Sequence, residues 1–181
     1  MKKLPLVIGL NRLSTLTLTT ISVLFLGFAL NVGDALAQQK TLKEQLVGTW
    51  TLVSNDNVAP DGTRRQPFGP NPKGILILDA NGRYAQIHVN PNRPKFKGST
   101  RLDGTPEENK AVVQATSGSF GTWSVNEADK SVIMHIEIHM FPNDDGTDSK
   151  RSITLTGDEL KYTNPTASSG GTGEMVYKRA K

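Results

Sequence analysis

The sequence of 181 residues contains no cysteine. That excludes disulfide bridges and every site built on a thiolate. It also excludes lipid attachment at a cysteine after a leader segment. A chain of this kind that leaves the cell has to be stabilised by packing. Long apolar runs are scarce as well. The only one covers residues 15–30, shorter than the roughly 20 residues a membrane-spanning helix needs, and several of its positions are Thr. Basic blocks and aromatic-basic interleaving are missing, so nucleic acid is not an expected partner. No nucleophile elbow, phosphate loop or paired-carboxylate arrangement is visible. Those absences leave isomerase or cyclase chemistry open, because it needs only one or two well-placed acid-base groups.

What is present begins with a leader. Lys2, Lys3 and Arg12 precede the apolar run, which carries Ile21, Val23, Leu24, Phe25, Leu26 and Phe28 and closes on Ala35-Leu36-Ala37. A charged start, a short apolar middle and a small-x-small exit describe a secretory signal peptide. Residues 1–37 are therefore expected to be removed and residues 38–181 to form one exported domain, periplasmic or secreted, with no membrane span left after cleavage. The leader holds three of the 21 basic residues and one of the 17 acidic ones, Asp34. The remainder has 18 against 16, a net charge of only +2.

Residues 38–181 read as an all-β domain. Short runs of strand-forming residues fall near 46–54, 73–79, 83–89, 119–126, 130–140, 149–156, 159–163 and 173–179, separated by turn signals such as Asn81-Gly82, Asp145-Gly146 and Gly157-Asp158. Eight antiparallel strands in up-and-down order can close into a barrel with no free edge, just wide enough for one small ligand. One short helix is expected between the third and fourth strands. There Thr105 offers an N-cap, Pro106 a first helical residue and Glu108 a capping-box carboxylate. Residues 55–73 and 90–104, rich in Pro, Gly, Asn and Arg, read as long loops, either lids or plain connectors.

Two glycine-x-tryptophan units, Gly48-Thr49-Trp50 and Gly121-Thr122-Trp123, lie on expected strands. Tyr177 and Arg179 share a face of the last strand, which must lie beside the first if the barrel closes. Arg179 stacked on Trp50 would then seal one end. With those residues in place, the chain resembles the bacterial and fungal lipocalin-like domain family. The matching segments are Leu46-Val47-Gly48-Thr49-Trp50, Phe68-Gly69-Pro70-Asn71-Pro72-Lys73-Gly74, Gly104-Thr105-Pro106-Glu107-Glu108, His135-Ile136-Glu137, and Pro142 with Gly146-Thr147 and Arg151. The resemblance implies a lipocalin-like barrel and, loosely, small-molecule binding. The chain departs from the family pattern at His139, where a small polar residue is more usual. It departs again at Asn143-Asp144-Asp145, where an aromatic is commoner.

Strict alternation along residues 131–140 places Val132, Met134, Ile136, Ile138 and Met140 on one face, expected to point into the barrel. Ser131, Ile133, His135, Glu137 and His139 fall on the other. His135-x-x-x-His139 spans about 13 Å in a strand, too far for both histidines to hold one ion. Neither a metal site nor a cofactor is expected. Arg151 shares a face with Ile153 and Leu155, so a buried guanidinium there needs a carboxylate, from Glu137, from an acidic loop residue or from a ligand. Tyr84, Gln86 and His88 share a face and could bond a ligand or point outward.

The expected ligand-binding wall is Trp50, Tyr84, His88, Trp123, Met134, Ile136, Ile138, Met140 and Arg151. Its expected partner is a small apolar or amphipathic molecule, with Arg151 fixing any acidic group. Two other readings stay open. One is an enzyme using the same cavity through His88, His135 or Glu137. The other is a non-catalytic, fully packed barrel. Oligomeric state is not legible in the sequence.

Overall fold

Each strand alternates apolar and polar residues because one face must leave water. A sheet with one apolar face can bury it by curling on itself. The computed structural model describes residues 40–181; the expected signal peptide lies outside them. Nine strands form one antiparallel sheet: β1 (Gly48–Val58), β2 (Arg64–Arg65), β3 (Lys73–Leu78), β4 (Arg83–Val89), β5 (Thr116–Asn126), β6 (Ser131–His139), β7 (Asp148–Thr156), β8 (Glu159–Asn164) and β9 (Thr172–Arg179). Strand β1 pairs with both β3 and β9, which closes eight strands into a barrel, while β2 hangs on the end of β1. All eight expected strands are present. The expected loop 55–73 is shorter than read, because β1 runs on to Val58 and Arg64–Arg65 pairs back onto it.

Among the described residues two α-helices accompany the barrel: α1 (Leu42–Leu46) and α2 (Pro106–Gln114). The second starts as expected. Glu108 N donates to Thr105 Oγ1 at 3.2 Å, and Thr105 N donates back to the Glu108 carboxylate at 3.0 Å. No helix among the described residues is long and apolar enough to cross a membrane. The first helix, which the sequence reading missed, closes one end of the barrel. It carries its own capping box between Thr41 and Glu44, and the Glu127 carboxylate accepts from Leu42 N and Lys43 N, both at 3.3 Å. An anion at a helix N-terminus offsets the partial positive charge of the unpaired N–H groups there. Leu46, at the helix's last position, is fully buried.

The closure expected from Trp50 and Arg179 is present. The Arg179 guanidinium lies 4.2 Å from the centre of the Trp50 ring and donates to the Val47 and Gln45 carbonyls at 3.2 and 2.6 Å. The indole N–H of Trp50 donates to Leu46 O at 2.9 Å. Gly48 has φ of 138°, where a side chain would be strained, and its missing Cβ makes room for the Arg179 head. Above this seal, Leu52, Leu76, Leu78, Trp123, Val132, Met134, Ile153, Leu160 and Met175 pack as one apolar cluster.

Two bulges then change what faces inward. In β1, Leu52 pairs with Tyr177 and Ser54 with Val176, so Val53 is an extra residue. In β6, Phe120 pairs with Ile138 and Gly121 with Ile136, so Glu137 is extra. An extra residue reverses the alternation beyond it. Asn55 and Asn57 therefore follow Trp50 and Leu52 into the barrel, and His139 follows Val132, Met134 and Ile136. Ile138 and Met140, expected inside, are 50% and 57% exposed on the outer face. The correction is physical: strict alternation ends at Glu137.

Candidate functional site

The two bulges divide the interior. Its closed half is the apolar cluster, and its open half carries Asn55, Asn57, His88, Ser119, His139 and Arg151, all buried polar side chains. Two cavities lie at this open half. An inner cleft of about 40 Å³ is lined among others by Asn57, Gln86, His88, His139, Asn164 and Arg151. An outer groove of about 270 Å³ is lined by Asn57, Ala59, Arg65, Gln66, Pro67 and Ser169 to Gly171, at the rim between the β1–β2 connection and the β8–β9 loop. Asn57 and Ser169 line both.

Arg151 dominates the cleft. Its side chain is on β7 beside the buried Ile153, 5% exposed, and its guanidinium carbon stands 5.8 Å from the Tyr162 ring centre. Its Nε and Nη1 have no hydrogen-bond partner, and among the described residues it has no salt bridge. The expected pairing with Glu137 does not occur. Glu137 points outward and forms a two-pronged ion pair with Arg83, whose second contact is 2.9 Å. A buried cation without a carboxylate costs several kcal/mol of solvation free energy unless an anion is brought to it.

One carboxylate, Asp144, is on the cleft wall, 3.8 Å from His139 Nδ1, but it makes no salt bridge with Arg151, and the other groups around the guanidinium are not anions. His88 is buried beside Tyr177 Oη, 2.6 Å from its Nε2, and Asn55 Nδ2, 3.3 Å from its Nδ1. With the Asn55 amide N–H aimed at Nδ1, the neutral ring carries its proton on Nε2 and donates to Tyr177. Burial pushes the His88 pKa down to about 4, with the charges of His139 and Arg151 acting the same way. Burial raises the Tyr162 and Tyr177 hydroxyls, against the pull of Arg151. His139 Nδ1 accepts from Phe141 N at 2.8 Å, which leaves Nε2 as its donor. Apart from Asp144, the cleft is therefore lined by neutral or cationic groups and is rich in donors.

Of the residues expected to bind ligand, His88 and Arg151 reach the cleft. Tyr84, Met134 and Ile136 sit on the inner wall, with Tyr84 Oη donating to Ser119 Oγ at 3.3 Å. Trp50 and Trp123 belong to the packed closed half; the Trp123 indole N–H donates to Asp79 O at 3.0 Å. Ile138 and Met140 are outside. For the acid-base reading, His135 and Glu137 both face outward, His135 Nδ1 lying 2.8 Å from Asp148 Oδ1. They do not converge with His88. Sequence reasoning missed Asn55, Asn57 and His139. For His139 the available signal was Gly121: a Cβ there would collide with the His135 carbonyl oxygen and Glu137 N, the backbone of the bulge itself.

A closed eight-stranded up-and-down barrel, sealed at one end by a helix and an arginine-tryptophan stack, is a lipocalin-like architecture. The chain belongs to the lipocalin-like domain family, whose model matches residues 47–178. Solved structures that the chain is similar to include a fatty-acid-binding protein 1 from Echinococcus granulosus. It is 15% identical with a TM-score of 0.37, and the match covers 76% of this chain and 99% of that one. Secretory abundant heat soluble protein 4 from Ramazzottius varieornatus is 18% identical, TM-score 0.36, over 79% and 99%. No curated protein matches the sequence.

Proposed function

We propose that this chain is an exported binding protein that holds a small amphipathic acid at the open end of its barrel, with the acid's anion on Arg151. The observation that carries the reading is the buried guanidinium on the cleft wall, two of whose nitrogens have no partner. A carboxylate reaching either nitrogen would form a charge-assisted hydrogen bond that the fold itself leaves unmade. The apolar remainder of such a ligand fits the outer groove beside Ala59 and Pro67. The apolar half of the barrel is filled by its own side chains, so the ligand's bulk sits at the rim. Export rests on the leader alone. Lipocalin-like architecture is compatible with this use and does not choose the ligand.

Calorimetric titration with hexanoate and with its neutral isostere hexanamide tests the reading. Hexanoate is expected to bind the wild-type protein and to lose at least about tenfold in affinity in Arg151→Met, given the strength of hydrogen bonds to charged groups. Equal affinities for the acid and the amide would overturn it.

A further inference from the structure

Among the described residues five buried side-chain polar atoms lack a partner: two nitrogens of Arg151, the Tyr162 hydroxyl beside it, and two amide oxygens. The amide oxygens are acceptors only. Asn57 is 5% exposed and belongs to β1 beyond its bulge. Its Nδ2 donates to Ser169 Oγ at 2.7 Å and to Gly170 O at 2.6 Å. A carbonyl can only accept, so the Gly170 contact fixes which end of the amide is which. Both amide protons are spent on the β8–β9 loop, and Asn57 Oδ1 has no partner. Gln86 Oε1 is unpartnered as well, its Nε2 being held by Ser119 Oγ at 3.1 Å. A buried carbonyl oxygen without a donor costs about 1–3 kcal/mol.

The position of Asn57 gives its free oxygen a purpose. It lines both the outer groove and the inner cleft. Between Asn57 and Asn164 in the sheet lies Gly173, paired with each. A Cβ at Gly173 would stand 3.7 Å from Asn57 Oδ1 and 3.3 Å from the Ala167 Cβ. Gly173 lines the cleft, and its lack of a side chain leaves space beside the acceptor.

We infer that the groove and the cleft form one continuous site, and that Asn57 Oδ1 reads a hydroxyl or amide N–H on the ligand. The ligand class is thus an acid that also carries a hydrogen-bond donor, such as a hydroxy acid, in preference to a plain alkyl acid. A ligand without the donor would bury Asn57 Oδ1 permanently unpaired, which is how a polar site rejects an analogue lacking the group it reads. The inference rests on the Arg151 reading for the acid and on Asn57 and Gly173 for the donor.

Titration of the wild-type protein with hexanoate and with monohydroxyhexanoates bearing the hydroxyl on carbons 2 to 6 separates the two. At least one hydroxy isomer is expected to bind about tenfold tighter than hexanoate. Asn57→Leu removes the acceptor. Gly173→Ala leaves the acceptor and its tie to Gly170 intact but lays a methyl group against it. Both variants are expected to abolish the preference for the hydroxy isomer over hexanoate, read as the ratio of the two affinities within each variant. If no hydroxy isomer exceeds hexanoate, or the preference survives in both variants, the inference is overturned and the Arg151 reading stands. If neither hexanoate nor any hydroxy isomer binds, the Arg151 reading fails and takes the inference with it.

Discussion

Arg151 is surrounded mainly by tyrosines, amides and histidines, and no carboxylate, Asp144 on the cleft wall included, stands within salt-bridge distance of it, so its charge works against the folded state. Replacing a buried, poorly compensated charge by an apolar side chain of similar volume is often neutral or stabilising, by up to about 4 kcal/mol. Arg151→Met is therefore expected to unfold at equal or higher urea concentration than the wild type even as it loses hexanoate. A marked loss of stability would mean that the guanidinium has a structural partner. His88 gives a second test at this scale. Its imidazole titrates near 6.5 when free and at about 4 in the fold, because burial disfavours its charged form. Between those values the unfolded chain holds the extra proton, so stability rises with pH across that window and is lost as pH falls from 6.5 towards 4. The full effect is about 3 kcal/mol. Urea unfolding followed over that range should show the decline in the wild type and a flatter profile in His88→Gln. A profile unchanged by the substitution would assign the acid sensitivity to other groups.

At the scale of elements, the bulges at Val53 and Glu137 turn an apolar barrel into one with a polar open half. Had β6 kept its alternation, Ile138 and Met140 would have extended the apolar wall above Met134 and Ile136, and His139 would have faced water. Gly121 is what lets the Glu137 bulge lie flat against β5. Gly121→Ala places a Cβ against backbone atoms that no rotamer can move away. It is expected to cost about 1–3 kcal/mol, the range for overpacked sites. Denaturant unfolding measures the cost directly, and a change within about 0.5 kcal/mol, typical of surface substitutions, would show that the bulge does not depend on this glycine.

Across the whole molecule, legibility followed the range of the interaction. Strand alternation, the Asn81-Gly82 hairpin and the Thr105-Glu108 capping box are local, and the sequence shows them. The Trp50–Arg179 seal is long-range, yet it could be read because closure forces the first and last strands together. The inward turn of Asn55, Asn57 and His139 could not be read that way, since a single extra residue reverses a face without altering composition. Nor could the missing partner of Arg151. Glu137, on the neighbouring strand, lies on the outer face of the sheet and pairs there with Arg83. The site that remains is anchored by one side chain, and its Nε–H can be observed in solution by ¹⁵N-resolved NMR. Titration with hexanoate should shift the Arg151 Nε–H resonance strongly downfield, in step with the calorimetric saturation, and slow its exchange with water. Hexanoate binding with that resonance unmoved would contradict the assignment of Arg151 as the anchor of the ligand.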